Sequence, residues 1–110
     1  MFRAMPVLRA LLTACTLYGI GPGAVAGGTV HTVVIDGMLF IPAELTVKRG
    51  DTVRWLNKDA FPHTATSQAK GFDSRDIAPG GSWKFVAAKP GSYPYLCTLH
   101  RTMKGKLIVK

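Results

Sequence analysis

The chain has 110 residues and a formal net charge of +8, from 14 Lys and Arg against 6 Asp and Glu, and it holds only 2 cysteines. That length suits one domain. The basic residues are scattered along the chain instead of clustering in a run, which, with the export leader described next, argues against nucleic-acid binding.

Arg3 and Arg9 precede an apolar stretch from Ala10 to Val25 that ends in the small-residue pattern Ala24-Val25-Ala26. This reads as a secretory signal peptide cleaved after Ala26. Residues 1–26 are then a leader and residues 27–110 a single exported, periplasmic domain. Gly19, Gly21, Pro22 and Gly23 interrupt the apolar stretch, so no stable membrane insertion is expected. A retained amphipathic anchor is one alternative. A lipoprotein is another, because Leu12-Thr13-Ala14-Cys15 resembles a lipobox. Only Ala10 to Ala14 separate Arg9 from Cys15, however, against an apolar core of roughly 7–15 residues in such signals.

After the leader, short strands alternate with turn residues and no helical period emerges. Thr29 to Ile35 is β-branched and reads as a strand of ambiguous buried face. Asp36-Gly37 marks a turn, and Met38 to Ile41 forms a short strand before Pro42. Glu44 to Lys48 points Leu45 and Val47 one way, and Arg49-Gly50-Asp51 turns the chain. Thr52 to Asn57 places Val53 and Trp55 in the core and Arg54 outside. Pro62 to Ser67 reads as a short strand, and Gln68 to Asp76 as a polar segment. Pro79-Gly80-Gly81 turns into Ser82 to Ala87, with Trp83 and Phe85 inward. Beyond Lys89-Pro90-Gly91, Ser92 to Leu96 puts Tyr93 and Tyr95 on one face. Gly105 to Lys110 does the same with Leu107 and Val109. This spacing predicts an all-β, Greek-key β-sandwich of about seven or eight short strands.

Cleavage after Ala26 leaves Cys97 as the only cysteine, so no intramolecular disulfide is available. A small exported domain without a disulfide gains from a metal, and a metal also shields a lone thiol from oxidation. Cys97, His100 and Met103 follow at steps of three residues in the connection between two strands, and His63 stands in a Pro-His-Thr segment upstream. One thiolate, two imidazoles and one thioether make the ligand set that softness and geometry assign to a mononuclear blue-copper site. The predicted metal ligands are therefore His63, Cys97, His100 and Met103, holding one copper ion that cycles between Cu(I) and Cu(II). His31, without ligand partners nearby in sequence, reads as a surface residue.

Phe40 to Lys110 resembles the cupredoxins, the blue copper proteins, and the C-x2-H-x2-M spacing is similar to that of their amicyanin group. The likeness runs through Gly50-Asp51-Thr52-Val53-Arg54-Trp55-Leu56-Asn57, Pro62-His63, Pro79-Gly80-Gly81-Ser82, Gly91-Ser92-Tyr93-Pro94-Tyr95-Leu96-Cys97 and Met103-Lys104-Gly105-Lys106. The resemblance implies a small soluble electron carrier, not an enzyme, with those four ligands. It also implies that the ring edge of His100 serves as the electron port, rimmed by apolar residues such as Phe61, Pro62 and Leu99. Two positions depart from the family. Thr64 follows the first His where Asn is common, and its hydroxyl is expected to make a similar, shorter hydrogen bond between the ligand loops. Leu99 stands where Pro is usual between Cys and His.

Arg101, Lys104 and Lys58 lie near these ligands in sequence, so the expected partners are redox proteins with an acidic docking surface, met by a monomer. The principal alternative is a periplasmic copper-binding or copper-delivery protein. Such sites favour many Met and His, and residues 27–110 contain only Met38 and Met103. A cysteine nucleophile leaves Met103 without a role, and structural zinc takes thioether poorly.

Overall fold

The computed structural model describes residues 28–69 and 71–110, so the leader and the Cys15 alternative lie outside the described residues. Among the described residues seven strands form: β1 (Val30–Asp36), β2 (Leu39–Ile41), β3 (Glu44–Val47), β4 (Thr52–Asn57), β5 (Ser82–Val86), β6 (Gly91–Leu96) and β7 (Lys104–Val109). They make two sheets, ordered β2-β1-β4-β5 and β3-β7-β6. Among the described residues there is no helix long and apolar enough to cross a membrane.

Local chemistry sets the tight turns. Gly37 and Met38 both take positive φ, 60° and 63°, as a two-residue hairpin requires when Asp36 faces Leu39. Two pairings could not be read from turns. β1 runs parallel to β4 and β3 parallel to β7, and parallel neighbours need long crossovers.

Alternation fills the space between the sheets. Val53 and Trp55 of β4, Leu107 and Val109 of β7, and Tyr95 of β6 are buried as expected. The register resolves the ambiguous face of β1, because Val33 faces Trp55 and Ile35 faces Asn57, and both are buried. Trp83, Phe85 and Tyr93 are half-buried against this core.

Three expectations need correction. Pro62 to Ser67 is not a strand: its backbone makes only isolated bridges, from His63 to Ile77 and from Thr66 to Asp73 and Leu96. Such bridging holds a curved loop instead of a ladder. The segment read as polar carries Phe72 into the core, where its ring lies 4.8 to 6.3 Å from those of Trp55, Trp83, Phe85, Tyr93 and Tyr95. One aromatic residue suffices to pin a polar connection onto the sandwich. Third, His31 is half-buried and its Nε2 lies 2.9 Å from Asp51 Oδ2, a partner distant in sequence.

Candidate metal centre

β6 ends at Leu96 and β7 begins at Lys104, so residues 97–103 form a short loop at one end of the sandwich. Backbone bonds wind it tightly. The amide of His100 donates to the Cys97 carbonyl (3.3 Å), that of Met103 to the His100 carbonyl (2.9 Å), and that of Cys97 to the Met103 carbonyl (3.1 Å). The three-residue steps thereby become successive turns, with Cys97 and Met103 buried and His100 half-buried.

His63 reaches the same point from the β4–β5 connection. Asn57, the last residue of β4 and fully buried, shapes that approach: its Nδ2 donates to the carbonyls of Phe61 (2.7 Å) and Ile77 (2.9 Å), and its Oδ1 accepts the Asp59 amide. The backbone of His63 exchanges both hydrogen bonds with Ile77.

The donor atoms converge. Cys97 Sγ lies 3.6 Å from His63 Nδ1 and 3.7 Å from His100 Nδ1, and the three atoms sit within 4.8 Å of one another. The two imidazole rings are 4.9 Å apart, tilted by 58°. Met103 is brought to the base of the same loop by its backbone. Of the predicted residues, the structure thus clusters the donors of His63, Cys97 and His100 and buries Met103 beside them in the loop.

Surrounding groups prepare the donors. Asp59 Oδ2 lies 2.9 Å from His63 Nε2, a carboxylate that can only accept there, and Nδ1 is the ring nitrogen turned toward Cys97. Amides of Met38 and Gly37 also donate to the Asp59 carboxylate. Chiefly through the Met38 N–H, these bonds hold its pKa below the ordinary 3.8 despite partial burial. The Thr64 amide donates to Cys97 Sγ (3.3 Å), which fixes the direction in which the sulfur is held. Thr64 Oγ1 accepts the Thr98 amide at 2.8 Å and lies 3.1 Å from the Thr98 hydroxyl, so the expected tie between the two ligand loops is present. Sequence reasoning missed Asp59 and Asn57. The only signal was an acid four residues before His63.

A buried cysteine sulfur flanked by two oriented imidazoles fits copper, which accepts soft sulfur and imidazole together. A copper-binding β-sandwich is the class of protein that this fold and donor set define. The chain belongs to the cupredoxin-like family, whose domain model matches residues 8–109. It is 31% identical to the amicyanin of Paracoccus versutus, across 94% of this chain and 96% of that protein. A plastocyanin of Synechococcus is 33% identical across 66% of this chain and 64% of its own length. Among solved structures, the Cu(I) form of an amicyanin mutant superposes with a TM-score of 0.69 at 33% identity, covering 78% of this chain and 86% of that one.

Proposed function

We propose that this protein is a small one-electron carrier with a single copper ion held by His63, Cys97, His100 and Met103. The observation that carries the reading is the buried Cys97 sulfur, 3.6 and 3.7 Å from two imidazole Nδ1 atoms. When bound, copper supplies a one-electron Cu(I)/Cu(II) couple. The chain supplies rigidity. Asp59 fixes His63, the Thr64–Thr98 bonds fix the loop of Cys97, and Cys97 and Met103 are buried in the same core cluster as the aromatic residues. Water is excluded on the core side, where His63 and Cys97 are fully buried. On the opposite side His100 is only half-buried, and exposed Phe61 (58%) and Leu99 (48%) supply the apolar rim on which a partner docks over its ring.

The finer reading concerns partners and compartment. Exposed Lys58, Arg101 and Lys104 favour a redox partner with carboxylates around its own port, so association slows as salt rises. A rate indifferent to ionic strength removes that preference. The leader directs export, and N-terminal sequencing of the exported protein should begin at Gly27. With copper bound, the Cys97 sulfur would be a ligand and would not be free to act as a nucleophile with His63 or His100 as its base.

The visible spectrum after addition of Cu(II) tests the assignment. An intense blue thiolate-to-copper absorption, lost in Cys97→Ser, is expected. Copper uptake without that absorption overturns the carrier and leaves copper delivery as the better account.

A further inference from the structure

The end of the sandwich opposite the metal centre is a separate surface. There the β3–β4 turn meets the end of β7 and the β5–β6 turn: the Arg49 amide donates to the Lys110 carbonyl (3.1 Å) and the Gly50 amide to the Ala87 carbonyl (2.8 Å). Lys48, Arg49, Lys89 and Lys110 are all exposed at this end. Its one acid, Asp51, is buried and consumed internally, accepting from the amides of Thr29 and Lys48 and pairing with His31. The other described carboxylates, Asp36, Glu44, Asp59, Asp73 and Asp76, lie on strand ends and loops nearer the metal centre. Exposed cationic side chains therefore outnumber exposed acidic ones at this pole. Two exposed apolar side chains adjoin it. Val30 and Val86, each 57% exposed, flank Thr52 on neighbouring strands at the same end of the β2-β1-β4-β5 sheet.

We propose that this pole binds an anionic lipid bilayer, laying the domain on the membrane with the metal centre facing away. Cations with adjoining exposed valines suit the headgroup region, where phosphates meet the first acyl carbons. An acidic protein would be recognised by the cations alone. A redox partner is not the occupant, because its port must approach His100 at the far end. The chain also enters the fold here, with Gly28 packed against Asp51 and the Thr29 amide bonded to Asp51 Oδ1 (2.9 Å).

The test is sedimentation of the mature protein with vesicles of phosphatidylcholine alone and of phosphatidylcholine mixed with phosphatidylglycerol. Binding to the anionic vesicles only, reversed by salt, is expected. The double variant Lys48→Ala/Arg49→Ala should weaken it by about 30-fold, from the contribution of each basic residue near a charged surface. Arg75→Ala/Lys106→Ala, which removes the same charge from the other half, should leave most of the affinity. Val30→Ser/Val86→Ser should lower the affinity further at fixed charge. Equal loss in both charge variants overturns the oriented pole in favour of net charge. Absence of vesicle binding overturns the proposal outright. Binding to polyglutamate as tight as to vesicles, unaffected by the valine variant, assigns the pole to an acidic protein instead. None of these outcomes depends on the blue absorption, so the metal assignment stands or falls separately.

Discussion

Asp59 Oδ2 stands 2.9 Å from His63 Nε2, and that single contact decides which ring nitrogen of a fully buried histidine faces Cys97. The same carboxylate accepts from the amides of Gly37 (2.7 Å) and Met38 (2.9 Å), so it also pins the β1–β2 turn beside the metal centre. Asp59→Ala leaves both the ring and the turn without their acceptor. Copper affinity should fall by about 10–100-fold, the usual effect of removing a group that orients a ligating histidine. Asp59→Asn retains an oxygen for the imidazole N–H and should recover most of that loss. Competition against a copper chelator measures both, and equal affinity in the Ala variant refutes the role.

The link between Thr64 and Thr98 joins the loop of His63 to that of Cys97. In Thr64→Val the Thr98 amide loses its acceptor, at a cost of about 1–3 kcal/mol where the group stays buried. Thr64→Ser should restore stability because it keeps the oxygen. Denaturant unfolding reads the stability, and the rate of copper loss to a chelator should rise in the Val variant alone.

How far the sequence revealed these features depended on the range of the interactions. Val53, Trp55, Leu107 and Val109 were legible as core because their alternation is local and matches the strand period. Cys97, His100 and Met103 stood out because one loop holds all three. Phe72 was hidden, since a lone aromatic in a polar connection shows no period, although its ring touches five others. His31 and Asp51 are 20 residues apart and meet only because β1 pairs in parallel with β4, a register that no turn announces.

Acid should weaken the fold through Asp51. Its pKa is lowered from the ordinary 3.8, first by the bond to His31 and then by the amides of Lys48 and Thr29, against an opposing effect of burial. A carboxylate lowered in the folded state contributes stability that is complete above its unfolded pKa. That contribution is lost as pH falls through the folded value, so the window lies below 3.8. Asp51→Asn should be less stable than wild type at neutral pH and should lose less on acidification. Urea unfolding of the copper-free protein at neutral pH and below 3.8 checks the sign. Asp59 is shifted in the same direction, so a residual slope should persist.

Phe72→Ala should be among the most damaging single changes outside the metal centre. The ring is 7% exposed and packs between Trp55, Phe85 and Tyr95. Deleting a buried phenyl group costs about 3–5 kcal/mol, a large share of the about 5–15 kcal/mol that holds a domain folded. Phe72→Leu, which fills much of the same volume, should lose less. Thermal unfolding of copper-free protein ranks the three.

Leu99→Pro, in contrast, should be tolerated. The bonds that wind the ligand loop come from the amides of Cys97, Thr98, His100 and Met103, and that of Leu99 is not among them. The Leu99 side chain is 48% exposed, so its replacement empties no core volume. Proline removes only a free donor and restricts the unfolded loop, which stabilises a compatible site by about 0.4–1 kcal/mol. It also biases Thr98 toward extended backbone, so the Thr98 amide bond to Thr64 reports whether the site is compatible. If the bond survives, the variant unfolds at the same or a higher temperature and holds copper at least as long. A lower midpoint together with faster copper loss would mean that the loop needs the freedom at Leu99, and that the tie to Thr64 cannot hold the loop without it.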